Sequence, residues 1–317
     1  MSSLAWCRHR AVRLLALGLW MAATPAEAIQ EIRIGVLSHR GTELTRELWQ
    51  PTADYLTSTL EGYRFEIVPL PFSRISEYVE MEFVDFILVN PGIYVALEVR
   101  QGISRLATLN NREGDLSLNQ FGSVIFTRQE HEDIQRLSDL AGKSLLAVDE
   151  TSLGGFEMAW DELLRQGVDP YRDLARLAFA GDHDSVVMAV LLGQADAGTV
   201  RTSILEHMAA EGLIDLNQFR VLNPRPTDRF LLIHSTDLYP EWPLSKVSHT
   251  PNDLAQQVAV ALLRMPPDHP AALAGNYAGW TVPLDYQPVH DLFRRLRLPP
   301  YDQVFTLRDV VQRYLAW

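Results

Sequence analysis

Apolar and polar residues follow two periods along this chain, and the periods take turns. Glu31–Leu37 (EIRIGVL) and Tyr63–Leu70 (YRFEIVPL) alternate apolar with polar and predict strands. Between them Leu44, Leu48, Leu56 and Leu60 share one side of a helix over 42–60, in which Pro51 predicts a kink or a fresh start. A short helix over 72–81 leads to Phe83–Val89 (FVDFILV), an apolar run that suits a parallel strand buried on both faces. Asn90-Pro91-Gly92 opens a helix over 93–101, with proline at its first position and Gly102 just past its end. Strands are predicted at 103–109 and 122–127, with the polar stretch 110–119 (NNREGDLSLN) between them as a loop.

The pattern then restarts. A short helix over 134–140 precedes the buried strand 143–148, and Phe156, Ala159, Trp160, Leu163 and Leu164 recur at helical spacing. A strand over 176–180, a helix capped by Gly181–Ser185, a strand over 195–200 and a helix over 204–211 follow. Strands at 219–222 and 230–234 flank a proline-rich link, and the remainder reads as mostly helical, over 251–263, 268–273, 285–296 and 307–316. Two runs of strand–helix units predict an α/β protein of two lobes with mostly parallel sheets. The crossings between lobes are expected near 122–127 and 219–234. Lobe 1 then comprises 29–127 and 223–317, and lobe 2 is inserted over 128–222.

The first 28 residues stand apart. Arg8, Arg10 and Arg13 precede the short apolar run Leu14–Ala23, and Ala26-Glu27-Ala28 ends it with an A-x-A pattern. This predicts a secretory signal peptide cleaved after Ala28 and an exported, periplasmic protein. The single cysteine, Cys7, lies inside that leader, so the mature chain has no disulfide, thiolate nucleophile or cysteine metal site. The formal charge of the 317-residue chain is −12, and the leader carries three arginines against one glutamate, so its removal makes the chain more acidic. Nucleic acid and anionic membrane surfaces are poor partners for such a chain, and any anion must be held by local groups.

Five strand-to-helix junctions are polar or glycine-rich: Ser38–Gly41, Asn90–Gly92, Thr151–Gly155, Asp182–Ser185 and Arg201–Ser203. In open α/β sheets, ligands sit at such junctions, against helix N-termini. Thr151-Ser152-Leu153-Gly154-Gly155 combines two hydroxyls, free backbone N–H groups and glycines that admit a ligand close to the backbone. It is either an ordinary N-cap or a cradle for an oxyanion. Arg40 and Arg201 are either ligand contacts or ion-pair residues. His183 beside Asp184 is a catalytic pair, a metal site or a cap, with capping favoured at a helix start. Tyr94 lines the cleft or packs. No other histidine has metal-ligand spacing, and there is no nucleophile elbow, P-loop or dinucleotide fingerprint. Binding is therefore expected rather than turnover, with no metal and no cofactor.

The order of these motifs resembles a known family. VNPGIY, VDETSLGGF and HDSVVMAVLLGQADAGTVR, in an exported two-lobed chain, are similar to the periplasmic phosphonate/phosphite/phosphate-binding proteins (PhnD-like) of ABC transporters. The resemblance covers essentially all of 30–317 and implies a type II periplasmic-binding-protein fold. WQPTADYL, ETSLGGFEMAW, ADAGTVRT and the block 265–301 are closer to the branch that supplies input domains of sensor histidine kinases, including the tetrathionate-sensing type. The resemblance puts Thr151–Gly155 in the place of the family's anion-binding turn and Asn90–Tyr94 in that of its first-lobe tyrosine turn. Arg201-Thr202-Ser203 stands where binders of aminoalkyl phosphonates carry an acidic residue, which argues for a wholly anionic ligand. The sensor proteins continue into a membrane helix and kinase, whereas this chain stops at Trp317, so a free-standing protein or only the sensory part is expected.

The expectation is thus a monomeric periplasmic solute-binding protein that closes on a small phosphorus or sulfur oxyanion. Its expected site residues are Arg40, Asn90, Tyr94, Thr151, Ser152, Gly154, Gly155, His183, Arg201 and Thr202. The expected membrane partner is an ABC permease or, alternatively, a sensor histidine kinase. Two enzymes share the implied fold, porphobilinogen deaminases and thiamin-pyrimidine synthases. The first needs a cysteine that the mature chain lacks, and the second a cytosolic cofactor supply.

Overall fold

In chain order the elements are β1 (Gln30–Leu37), α1 (Thr42–Thr59), β2 (Tyr63–Leu70), α2 (Ile75–Glu80), β3 (Phe86–Leu88) and α3 (Pro91–Gln101). Then come β4 (Ser104–Glu113), β5 (Leu116–Leu118), β6 (Gln120–Phe121), β7 (Ser123–Arg128), β8 (Ser144–Ala147), α4 (Met158–Arg165) and β9 (Arg176–Phe179). They are followed by α5 (His183–Leu191), β10 (Ala197–Arg201), α6 (Ile204–Ala210), β11 (Phe219–Leu222), β12 (Tyr239–Pro240) and β13 (Pro243–Lys246). The last are α7 (Asn252–Arg264), α8 (Pro270–Ala274), β14 (Tyr277–Thr281) and α9 (Gln287–Leu296). This computed structural model describes residues 29–227 and 230–302. The expected signal peptide and the helix expected over 307–316 lie outside the described residues.

Two sheets organise the molecule. The first has the order β14-β4-β13-β3-β1-β2 with β5 on the outside of β4, and the second β11-β7-β10-β8-β9. Parallel pairing is confined to β1, β2 and β3 in the first and to β8, β9 and β10 in the second, where helices make the crossovers. The strands supplied by β4, β7, β11, β13 and β14 pair antiparallel. Between the sheets the chain passes twice, at β6 and β12, which pair with each other through Tyr239–Phe121 and Pro240–Gln120.

Local details differ from the sequence pattern for identifiable reasons. The polar stretch 110–119 is a hairpin, because β4 runs on to Glu113 and turns at Gly114, φ 59°, into β5. α1 continues through Pro51 without a break. The strands β13 and β14 interrupt the segment that reads as mostly helical. β13 is four residues long between β3 and β4, too short to show a period. Residues 230–234 form no strand. The side chains that follow bond β7 instead, Ser235 Oγ accepting from Ile125 N at 3.0 Å and Thr236 Oγ1 from Ser123 N at 3.0 Å.

One apolar core underlies the first sheet, and two smaller clusters cover the faces of the second. Leu153 and Met158, from the turn that follows β8, pack in the first-sheet core. That turn is where the second lobe presses on the first. No described helix is long and apolar enough to cross a membrane.

Candidate functional site

The turn after β8 is built around Ser152. Its Oγ accepts from Gly155 N at 3.1 Å, and its carbonyl accepts from both Phe156 N (2.8 Å) and Glu157 N (3.1 Å). The second of these bonds is π-helical, and such single turns widen the start of α4. Among the described residues, the amides of Leu153 and Gly154 have no acceptor. Ser152 is thus a cap and the turn is also an open donor site, since the serine hydrogen and two amides remain to donate. Glycine is required at both following positions. A Cβ on Gly154 would fall 2.7 Å from Arg201 Cβ and 2.8 Å from the Phe121 ring, and one on Gly155 would fall 2.5 Å from Ser152 Oγ.

Opposite this turn lies an interlobe cavity of about 10 Å³, roughly the space of one water. Leu37, His39, Phe72, Asn90 and Phe121 close it from one side, and Ser152, Gly154, His183, Arg201 and Trp242 complete it. None of these ten is acidic. Arg201 ends β10, and its Nη2 donates to Glu241 Oε1 at 2.6 Å, with both side chains buried. The guanidinium stands 4.6 Å over the Phe121 ring and 5.9 Å from that of Trp242, and its Nε has no partner. Two residues on, Ser203 is held at φ 72°, a strained backbone for serine that turns the chain sharply into α6.

Two histidines face each other across the seam. His39 follows β1 and His183 opens α5, with ring centroids 5.7 Å apart and edge-on. His183 N donates to the His39 carbonyl at 3.2 Å. Burial, then Arg201, Arg40 and His207, push the His39 imidazole down to about 3. Burial, then His39, Arg201 and Arg40, push His183 well below the usual histidine range. Both rings are neutral at physiological pH, and the buried His39 Nδ1 has no partner.

Three further contacts clasp the lobes. Arg40 reaches Asp184 through Nε (2.7 Å) and Nη2 (2.8 Å), and Glu211 through Nη1 (3.0 Å) and Nη2 (2.8 Å). His207 on α6 meets Glu113 of β4 at 3.1 Å, and Arg295 on α9 meets Asp161 on α4 at 2.9 Å. Above the small cavity, an open pocket of about 270 Å³ separates α1 from α6. His39, Arg201 and Trp242 line both spaces.

The structure therefore brings together Asn90, Ser152, Gly154, His183 and Arg201. It places the other expected residues elsewhere. Tyr94 is fully buried on the far side of α3, where its hydroxyl bonds Glu98 and accepts from Arg105 Nη1 at 3.0 Å, against the Tyr286 ring. Its ring packs in the first-sheet core rather than in the cleft. Arg40 is saturated by two carboxylates. Thr151 Oγ1 donates to Asp149 at 2.7 Å, within its own loop. Thr202 bonds the chain at Gly122, where its N donates to the carbonyl at 2.9 Å. Gly155 packs on Val148. His39, Phe121 and Trp242 were not singled out by the sequence. His39 sits in a junction that was, whereas Phe121 and Trp242 arrive from the two crossings, which no local pattern marks. Among the described residues, no group of three or more His, Cys, Asp or Glu side chains could hold a metal ion.

Residues 34–287 match a family described as ABC transporter, phosphonate, periplasmic substrate-binding protein. The chain belongs to this family. Its members and structural neighbours are substrate-binding proteins, and the family is periplasmic. A curated relative, the tetrathionate sensor histidine kinase TtrS of Salmonella typhimurium, is 34% identical over 292 residues. That alignment covers 92% of this chain and 46% of the relative, so the chain spans about half the length of the sensor. The fold is that of PhnD1 from Prochlorococcus marinus (MIT 9301), solved with methylphosphonate, with a TM-score of 0.71 at 13% identity over 84% of this chain and 98% of that one. The binding protein component of an ABC phosphonate transporter from Pseudomonas aeruginosa also gives 0.71, at 15% identity over 90% and 94%. The architecture is accordingly the two-lobed type II periplasmic-binding-protein fold.

Proposed function

We propose that this protein is a periplasmic receptor that closes its two lobes around a small phosphorus or sulfur oxyanion and is read in that state by a membrane partner. The observation that carries the reading is the makeup of the small interlobe cavity. Its wall holds Gly154, whose amide has no acceptor among the described residues, the Ser152 hydroxyl, the unpartnered Arg201 Nε and two neutral imidazoles, with no carboxylate. Donors of this kind in a desolvated site favour an anion, each charge-assisted bond contributing about 1.5–3 kcal/mol. With space for roughly one water, the site takes an oxyanion only after the lobes part, and the ligand then replaces the direct contact between them.

The direct test is calorimetry with phosphate, phosphite, methylphosphonate, sulfite, thiosulfate and tetrathionate on the wild type, Ser152→Ala and Arg201→Ala. Saturable binding of one or more anions, weakened in both variants, is expected. Unchanged affinity in both variants removes this site.

Two partners fit. Membership of a transporter family favours an ABC permease, and the relation to TtrS over 292 residues favours a sensor histidine kinase. Deleting the encoding gene separates them, since a permease partner predicts lost uptake of the anion and a kinase partner predicts a lost transcriptional response with uptake intact.

A further inference from the structure

On the other side of the Asn90–Thr151 contact lies a second interlobe pocket, of about 330 Å³. This is within the range of small-molecule sites. Phe72 is shared with the small cavity, and Asn90 Nδ2 bonding the Thr151 carbonyl at 3.1 Å helps to separate the two. The first lobe contributes the aliphatic faces of α2 and α3 and Phe293 of α9, and the second lobe Glu157, Trp160 and Tyr171. Trp160 lies edge-on to Tyr171, with centroids 4.9 Å apart, and stacks on Phe156 at 5.6 Å. The wall is thus aromatic on several sides.

Within it sits an unsatisfied acid. Glu157 is 3% exposed, and its Oε2 has no hydrogen-bond partner among the described residues. The oxygen points at the start of α3, where a Cβ on Gly92 would fall only 2.6 Å from it. A buried polar atom without a partner is costly and rare in native folds. Glu150 lines the same pocket, and Arg100, exposed, is its one lining cation. Burial, then the charge of Asp149, push the Glu157 carboxyl well above the usual range. Tyr171, pushed up to about 12 by burial, feels Glu150 and Glu157 in the same sense. The local field favours a positive guest.

We propose that this pocket binds a primary ammonium carried on a compact aromatic or apolar body, with the ammonium on Glu157 and the body among Phe72, Trp160, Tyr171 and Phe293. Aromatic walls with one carboxylate are a general solution for organic cations. Where the Glu157 carboxyl is protonated, binding releases that proton to solvent and leaves an ammonium–carboxylate pair. Both lobes contact the guest, so occupancy favours the lobes-together state independently of the oxyanion reading.

Benzylammonium is the probe and benzyl alcohol its neutral isostere, titrated into the full chain by calorimetry in two buffers of different protonation heat, neither a primary amine. The expected result is saturable binding of benzylammonium at least about tenfold tighter than the alcohol, roughly 1.4 kcal/mol. Up to one proton is released per guest, and affinity rises with pH by up to about tenfold per unit until the carboxyl ionises unaided. Glu157→Gln should abolish both the preference and the proton release. Tyr171, half-exposed, can be changed without disturbing the core, and Tyr171→Leu should weaken benzylammonium by about threefold or more. Equal affinity for the two probes, proton release surviving in Glu157→Gln, unchanged binding in Tyr171→Leu, or no saturable binding overturns the proposal.

Discussion

Arg201 and Glu241 form a buried pair at 2.6 Å whose cation faces the interlobe cavity while its anion stands behind it. The charge available to a bound oxyanion is therefore partly spent inside the protein. Glu241→Gln keeps an acceptor for Nη2 and removes the opposing charge, so oxyanion affinity is expected to rise by about tenfold, roughly 1.4 kcal/mol. Calorimetry on the two proteins checks the sign, and a fall in affinity would mean that Glu241 serves mainly to aim the guanidinium.

Arg201→Ala should behave differently. It strands Glu241, 1% exposed, without its partner, and breaking a buried pair from one side costs about 3–5 kcal/mol. A large drop in thermal stability together with lost anion binding is expected, and the double variant Arg201→Ala/Glu241→Gln should recover most of the stability and none of the binding.

The turn after β8 separates cap from cradle. Ser152→Ala removes the acceptor for Gly155 N and should destabilise by about 1 kcal/mol, as caps generally do. Gly154→Ala drives a methyl against Arg201 and Phe121 and should cost about 1–3 kcal/mol, the usual range for overpacking. Denaturant midpoints rank the two, and Gly154→Ala emerging as the milder change would argue against the tight contact.

The facing imidazoles predict a dependence on pH. Both His39 and His183 are shifted down in the closed fold, so their contribution is fully present above about 6.5, the ordinary histidine value. It is lost as pH falls from there toward about 3 for His39, because protonation puts charge beside Arg201, Arg40 and His207. Small-angle scattering should show the lobes parting in mildly acidic solution, and His39→Asn/His183→Asn should flatten that response.

The clasp at Arg40 predicts a dependence on salt. Asp184 and Glu211 are partly exposed, and ion pairs of this kind are screened at high ionic strength. Arg40→Ala is expected to enlarge the radius of gyration in low salt and to make it insensitive to 1 M sodium chloride, which is about a 3 Å Debye length. A wild type unmoved by salt would place the hold between the lobes in apolar contacts instead.

Much of the architecture could be read from periodicity, because each βα unit carries its own signature of a short apolar strand and an amphipathic helix. β13 and β14 could not. One is four residues between prolines and lysine, and its place beside β3 is fixed by partners far away in sequence. The polar hairpin of β4 and β5 read as a loop because its side chains are mostly polar on both faces, and period-two alternation fails when neither face is apolar. At the site, the junction residues Ser152, Gly154, His183 and Arg201 carried a local signal, since glycine, hydroxyl and cap chemistry is encoded within a few positions. Their counterparts Phe121 and Trp242 did not, and neither did the difference between Asn90, which caps α3 at the seam, and Tyr94 one turn on, which points to the core. Which face of a helix meets a second lobe is a tertiary fact.

The second crossing has a mechanical consequence. Glu241, which holds Arg201, is tied by its amide to Asn119 O at 2.8 Å and by its carbonyl to the Tyr286 hydroxyl at 2.6 Å, and the neighbouring Trp242 carbonyl takes Leu109 N at 3.0 Å. β13 begins at the very next residue and runs through the middle of the first sheet. Any tug on the guanidinium is therefore delivered within two residues to β4, to the residue before α9 and to the sheet interior. If the cleft is occupied as proposed, no travelling loop is needed to announce it, because the tether that would meet the guest is itself a structural beam of the opposite lobe.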